Sequence, residues 1–231
     1  DSFGGDTNGD GEQSAAAPGD WGVIYLDTTA TASVLDNAVV RYGGGSWSGS
    51  SGVYDYGNVV ILSDAVAVTS SVISESAIYG IYVRASAPTL SGNTLQGSSN
   101  YGLELEEGAT PLVSGNTFIG NTSSAIYTDA SSIGAPISGS VMSDNGVNGV
   151  QVTAGTVPGD ASLSAGEVYV LNGYLTIAEG ATLTVPPGGV VKGSGTSSYL
   201  RVLGTLIADG TEALPVVCTS AKDDSYGGDG N

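Results

Sequence analysis

An all-β solenoid is the fold class this sequence predicts, and three observations carry the prediction. Short β-branched runs are punctuated by Gly, Ser, Asn and Asp, with 37 glycines among 231 residues and only two Phe and two Trp. That is the texture of many short strands joined by turns. A phrase then recurs as Gly80-Ile-Tyr-Val83, Gly102-Leu-Glu-Leu105, Ala125-Ile-Tyr-Thr128 and Gly149-Val-Gln-Val152, at spacings of 22, 23 and 24 residues. A second phrase keeps step with it: Ser91-Gly-Asn-Thr94, Ser114-Gly-Asn-Thr117 and Ser138-Gly-Ser-Val141. Repetition at a fixed period decides architecture before local propensity does. A period of about 22 residues holding two or three short strands and no helix is that of a parallel β-helix, each coil stacked about 4.8 Å above the last. About ten coils, a rod of roughly 50 Å, are expected on that rise.

Taken in order, the chain opens on Asp1-Ser-Phe-Gly-Gly-Asp-Thr-Asn-Gly-Asp-Gly-Glu12. Asp6, Asn8, Asp10 and Glu12 occupy alternate positions, with Gly9 and Gly11 between them. Oxygen side chains on every second residue of a tight loop converge on one point, and glycine lets the backbone curl. Oxygen-only ligation suits Ca2+, and the start of the loop matches a calcium-binding pattern. The position that would carry a bidentate Glu is Ala17. A bound calcium is the expectation, with Asp1 in the same acidic stretch; a solvated acidic turn is the alternative.

Ser14-Ala-Ala-Ala-Pro-Gly-Asp20 is a linker to the first strand, Trp21-Gly-Val-Ile-Tyr-Leu26. The insertion Gly43–Tyr56 carries Trp47, Tyr54 and Tyr56. Their rings are expected either to stack on sugars or a neighbouring subunit, or to cover the adjacent coil. Tyr25, Tyr42, Tyr79, Tyr82, Tyr101 and Tyr127 read as partly exposed sheet residues. Asn93 and Asn116 share one place in the second phrase, so they either stack as a short ladder or line a solvated turn. Asn121-Thr-Ser123 fits a glycosylation acceptor. Lys192 follows a strand and is expected to be solvated. Cys218, the single cysteine, lies in the apolar run Pro215-Val-Val-Cys-Thr219 and is expected in the core.

Charge narrows the partners. With 23 acidic residues against five basic ones the net charge is −18. Phosphate contacts need Lys and Arg, so no nucleic acid is expected, and no membrane insertion. Divalent cations and high solubility are favoured instead.

The second half strings together Leu175-Thr-Ile177, Gly180-Ala-Thr-Leu183, Pro187-Gly-Gly-Val-Val191, Gly204-Thr-Leu-Ile-Ala208 and Gly210-Thr211. In this order the sequence resembles the right-handed parallel β-helix repeat modules of large bacterial surface and secreted proteins. The resemblance covers nearly the whole chain and implies the pectin-lyase-like fold in a non-catalytic form; it is weak for function, because such modules serve many purposes. It also implies an order in which residues 163–231 precede residues 1–152. Joined that way, Asp223-Asp-Ser-Tyr-Gly-Gly-Asp-Gly-Asn231 runs into residues 1–12 as one acidic loop. Residues 1–231 are then one β-helix unit, with residues 1–20 and 223–231 as the two halves of a calcium loop at the junction between units. Asp223, Asp224 or Asp229 of a preceding copy would complete the ligand set.

Catalysis is not expected. A lyase needs a base beside its metal, and Arg41, Arg84, Lys192, Arg201 and Lys222 stand in no run like a pectate lyase motif. A hydrolase needs two converging carboxylates, whereas Asp36, Asp55 and Asp64 are scattered. The chain has no histidine for a Ser-His-Asp site. The expectation is therefore a structural protein outside the cell or on its surface, stacking end to end with other copies into a calcium-stabilised filament. The alternative is a stalk or glycan-binding module of a bacterial adhesin, and a polysaccharide lyase comes last.

Overall fold

A computed structural model describes residues 5–11, 13–48 and 54–227. The largest sheet follows nine strands in chain order: Ile24–Leu26, Val59–Ile61, Ile81–Arg84, Tyr101–Glu106, Ser124–Thr128, Val150–Val157, Val168–Ile177, Val190–Gly193 and Val217–Ser220. Each pairs in parallel with the next. Two five-stranded sheets close the other sides of the first coils, one from Ser33–Asp36 to Ile137–Ser138 and one from Val39–Arg41 to Val141–Ser143. The result is an all-β parallel solenoid of about seven turns with a period near 23 residues.

The recurring phrases take the positions their spacing predicts. Ile81, Leu103, Ile126 and Val150 stand in register, as do Val83, Leu105, Thr128 and Val152. Their side chains point inward and are buried. The first column runs the length of the rod, from Ile24 through Val59 and on to Tyr169, Val191 and Cys218. Each such apolar side chain contributes about 1.5–3 kcal/mol on burial. The turn count falls short of ten because the first 23 residues and the insertion around residues 43–57 lie outside the coils. Nine stacked strands make eight steps, or about 38 Å of rod.

The second phrase is a corner. Gly92, Gly115 and Gly139 have φ of 66°, 61° and 60°, a left-handed turn that glycine enters without steric cost. The next residue then turns into the rod. Asn93 and Asn116 stack there as expected: Asn93 donates from its backbone N and from Nδ2 to Asn116 Oδ1, at 2.9 and 3.0 Å. Each also donates to a carbonyl of the coil below, Val68 for Asn93 and Leu90 for Asn116. Ser71 donates its N–H to Asn93 and so begins the ladder.

A second ladder lies one corner on. Ser98 donates its N–H to Asn121 Oδ1, and Asn121 donates in turn to Asn145 Oδ1 from N and Nδ2. Asn121 is fully buried, and in the folded protein its amide nitrogen serves the ladder.

From about residue 155 the cross-section changes. The register between Val150–Val157 and Val168–Ile177 shifts at Thr153/Gly155, and the far half of Val168–Ile177 pairs with Leu200–Val202. A three-stranded sheet of Ala161–Ser162, Thr182–Val185 and Thr205–Ala208 forms another side. Among the described residues the one antiparallel pair is Ser46–Ser48 with Tyr54–Tyr56, which makes the predicted insertion a hairpin. Two expectations are corrected at the C-terminal end. Cys218 points along the interior column but is exposed, because no described coil stacks above it. Lys192 is fully buried, because the turn after Ser220 folds back across it and accepts its Nζ at the Asp223 carbonyl, 2.9 Å away.

Candidate functional site

The acidic stretches sit at opposite ends of the rod. Residues 5–14 precede the first strand of the largest sheet, and residues 221–227 follow its last. One chain therefore does not bring the two halves together, and a joint ligand set needs a second unit.

In the first half, Asp6 Oδ1 and Asn8 Oδ1 both accept from the backbone N–H of Asp10, at 3.1 and 3.4 Å. Asp6 Oδ2 accepts from Gly11 N. Asp6 and Asn8 thus both close the turn onto the Asp10 backbone. Asp10 takes a 2.5 Å bond from Ser14 through Oδ2, while its Oδ1 is sheltered from solvent and has no donor among the described residues. Asp1 and Glu12 lie outside the described residues. Among the described residues no group of three or more acidic, histidine or cysteine side chains is gathered tightly enough to hold a metal unaided.

In the second half, Asp223 anchors the turn. Thr219 Oγ1 donates to its Oδ2 at 2.6 Å, and Ser225 donates to its Oδ1 from both N and Oγ. The Ser225 and Thr219 hydroxyls hold its carboxyl below the usual carboxylate range. Asp224 is exposed beside it, and Asp229 lies outside the described residues.

The insertion's backbone sets Trp47 opposite Asp55 and Ser48 opposite Tyr54; Tyr56 is half-buried. The strand tyrosines divide: Tyr82 is buried, while Tyr79, Tyr101 and Tyr127 are half-buried and stack on one another. Among the cations, Arg41 lies over the Tyr42 ring at 5.0 Å, and Arg84 is buried with Glu107 at 4.0 Å.

The end of the rod is the third feature, and spacing gave no sign of it. Tyr199, Val202, Leu203, Leu206, Ile207 and Leu214 are exposed. Beneath them the interior opens as a cavity of about 340 Å3, lined by Tyr169, Leu183, Leu200, Leu206 and Cys218 among others. Alternation in sequence marks a strand as having an inner face; it does not say whether another coil covers it.

These features define a parallel β-solenoid. A family model described as right handed beta helix region matches residues 22–169, and one described as pectate-lyase like beta helix domain matches residues 155–230. The chain belongs to the right-handed β-helix family. The two matches meet where the cross-section changes. Comparisons with curated proteins and with solved structures return no match.

Proposed function

We propose that this chain is a structural, non-catalytic β-helical unit of an extracellular or cell-surface protein. It continues end to end, covalently or by head-to-tail assembly, into a calcium-stabilised filament or fibre. The observation that carries this reading is the last coil. The outer edges of Leu200–Val202, Thr205–Ala208 and Val217–Ser220 pair with nothing among the described residues, and all four residues of Thr205–Ala208 are exposed. Bare strand edges beside an open apolar interior invite strand addition. At the other end, Ile24, Leu26 and Leu35 point inward and are only partly covered. All rod strands run parallel, so one end fits the other and not itself. A contact of that kind does not close, and it propagates as a filament. Calcium held by Asp6, Asn8 and Asp10, with Asp224 and Asp229 of the preceding unit, would neutralise acidity at the joint.

Light scattering and electron microscopy of the purified protein, with calcium and with chelator, test this reading. Rods that lengthen with concentration and shorten in chelator are expected. Monomers at every concentration, in calcium, would overturn head-to-tail assembly.

A second reading, a glycan-binding stalk module, rests on Tyr174 and Tyr199. Their rings are exposed and stacked at 5.9 Å on the rod surface, and aromatic faces of this kind suit sugars. Saturable glycan binding by isolated monomers, lost in Tyr174→Ala, would favour it over the first.

A further inference from the structure

The strand Tyr101–Glu106 carries Glu104 and Glu106 two positions apart, so both face outward from the largest sheet. Carboxylates suit a solvated face, yet Glu104 is only 4% exposed. Its cover is aromatic. The rings of Tyr79, Tyr101 and Tyr127 stack with centroids 5.5 and 4.4 Å apart and planes within 12°. Tyr79 donates its hydroxyl to Glu104. Glu104 Oε2 has no donor among the described residues. Within hydrogen-bond reach of this carboxyl is that of Glu106, which already accepts a 2.7 Å bond from the Tyr82 hydroxyl. Two bare carboxylates packed together repel strongly, and one proton between them replaces the repulsion with a hydrogen bond.

We propose that Glu104 and Glu106 hold a single shared proton that latches the tyrosine ladder onto the middle of the rod, a proton-sensitive fastening. The groups facing the pair come from three strands. Tyr82 and Arg84 lie on the strand below, preceded by Tyr79; Tyr127 lies on the strand above, followed by Asp129; Tyr101 begins the pair's own strand, and Glu107 follows its end. Arg84 stands opposite Glu106 in the register and 4.0 Å from Glu107. Burial first, then the charge of Glu106, push the Glu104 carboxyl up to about 8. Burial also raises the phenols of Tyr79, Tyr101 and Tyr127, that of Tyr101 to about 12, so these rings stay neutral while Glu104 titrates.

The direction of the pH effect follows. In the unfolded chain Glu104 ionises near 4.5, and in the folded protein near 8. Between those values the folded state holds one proton more than the unfolded state. Each pH unit in that window therefore raises the unfolding constant about tenfold. The loss ends once the folded state also releases the proton.

The test is denaturant unfolding and near-ultraviolet circular dichroism from pH 5 to 9.5, on the wild type, Glu104→Gln and Glu167→Gln. Glu167 is a control, because burial raises its carboxyl too, elsewhere on the rod. The wild type is expected to lose stability up to about pH 8 and to change its tyrosine signal there. Glu104→Gln should flatten both responses, and Glu167→Gln should keep the signal change. Equal pH responses in the wild type and Glu104→Gln would overturn the latch, as would a midpoint that moves with calcium concentration, which would make the pair a cation site. Should Glu104→Gln fail to fold, the Glu104 carboxyl carbon shift of the wild type decides the matter. Titration near pH 8 supports the shared proton, and titration below pH 5 refutes it.

Discussion

The middle coils and the last coil follow the same sequence rule and come out differently. In Ile81–Arg84 and Tyr101–Glu106, the inward residues are fully buried and both edges of each strand are paired. In Thr205–Ala208 the inward Leu206, in register with the buried Leu183, is as apolar as Ile81 and Val83, yet it is exposed. The difference lies not in the residues but in whether a coil follows. In a solenoid, stability is a sum of neighbour interfaces, so the last interface is supplied from beyond the described coils or is missing.

Substitutions should separate the two regions. Val83→Asp or Leu105→Asp puts an unpaired charge in the closed interior, which is very costly, and should abolish folding; circular dichroism with the soluble yield would show it. Leu206→Asp should instead leave the fold intact and block rod formation, so the comparison breaks if both variants unfold or both assemble. Next in size is Asn116→Ala. It leaves the Asn93 N–H and the Leu90 carbonyl without partners, at about 1–3 kcal/mol for each buried group; denaturant melts would measure it. Glu104→Gln should stabilise the middle coils at pH 8 by a few kcal/mol, as expected for a carboxyl titrating several units above its ordinary value, with no gain at pH 5. Smallest, calcium chelation should lower the melting temperature of the rod by a few degrees through the loss of a bound ligand, and an unchanged melt in chelator would count against calcium.

Much of the fold was legible because period 2 and period 23 are both written in side chains. The column Ile81, Leu103, Ile126 and Val150 could be read directly, as could the Asn93–Asn116 ladder. The second ladder was masked by the acceptor pattern at Asn121-Thr-Ser123, although Gly97 and Gly120 repeat the corner glycines 23 residues apart. Lys192 and Glu104 were illegible for a shared reason. Both stand at outward positions, where alternation predicts water, and both are covered by something that alternation does not encode: the returning turn at Asp223 for one, the tyrosine ladder for the other. The acidic loop was visible as a pattern of oxygens, but its place at one end of the rod, with its echo at the other, follows only from the stacking order.

Cys218 offers the sharpest test of end-to-end continuation. It is the single cysteine, it stands in the interior column, and it is open at the last coil. A thiol-reactive dye should label it readily in dilute protein, and at least tenfold more slowly once rods form at high concentration in calcium, because the next coil would cover it. Labelling at one constant rate, with rods present or absent, would contradict a joint at this end.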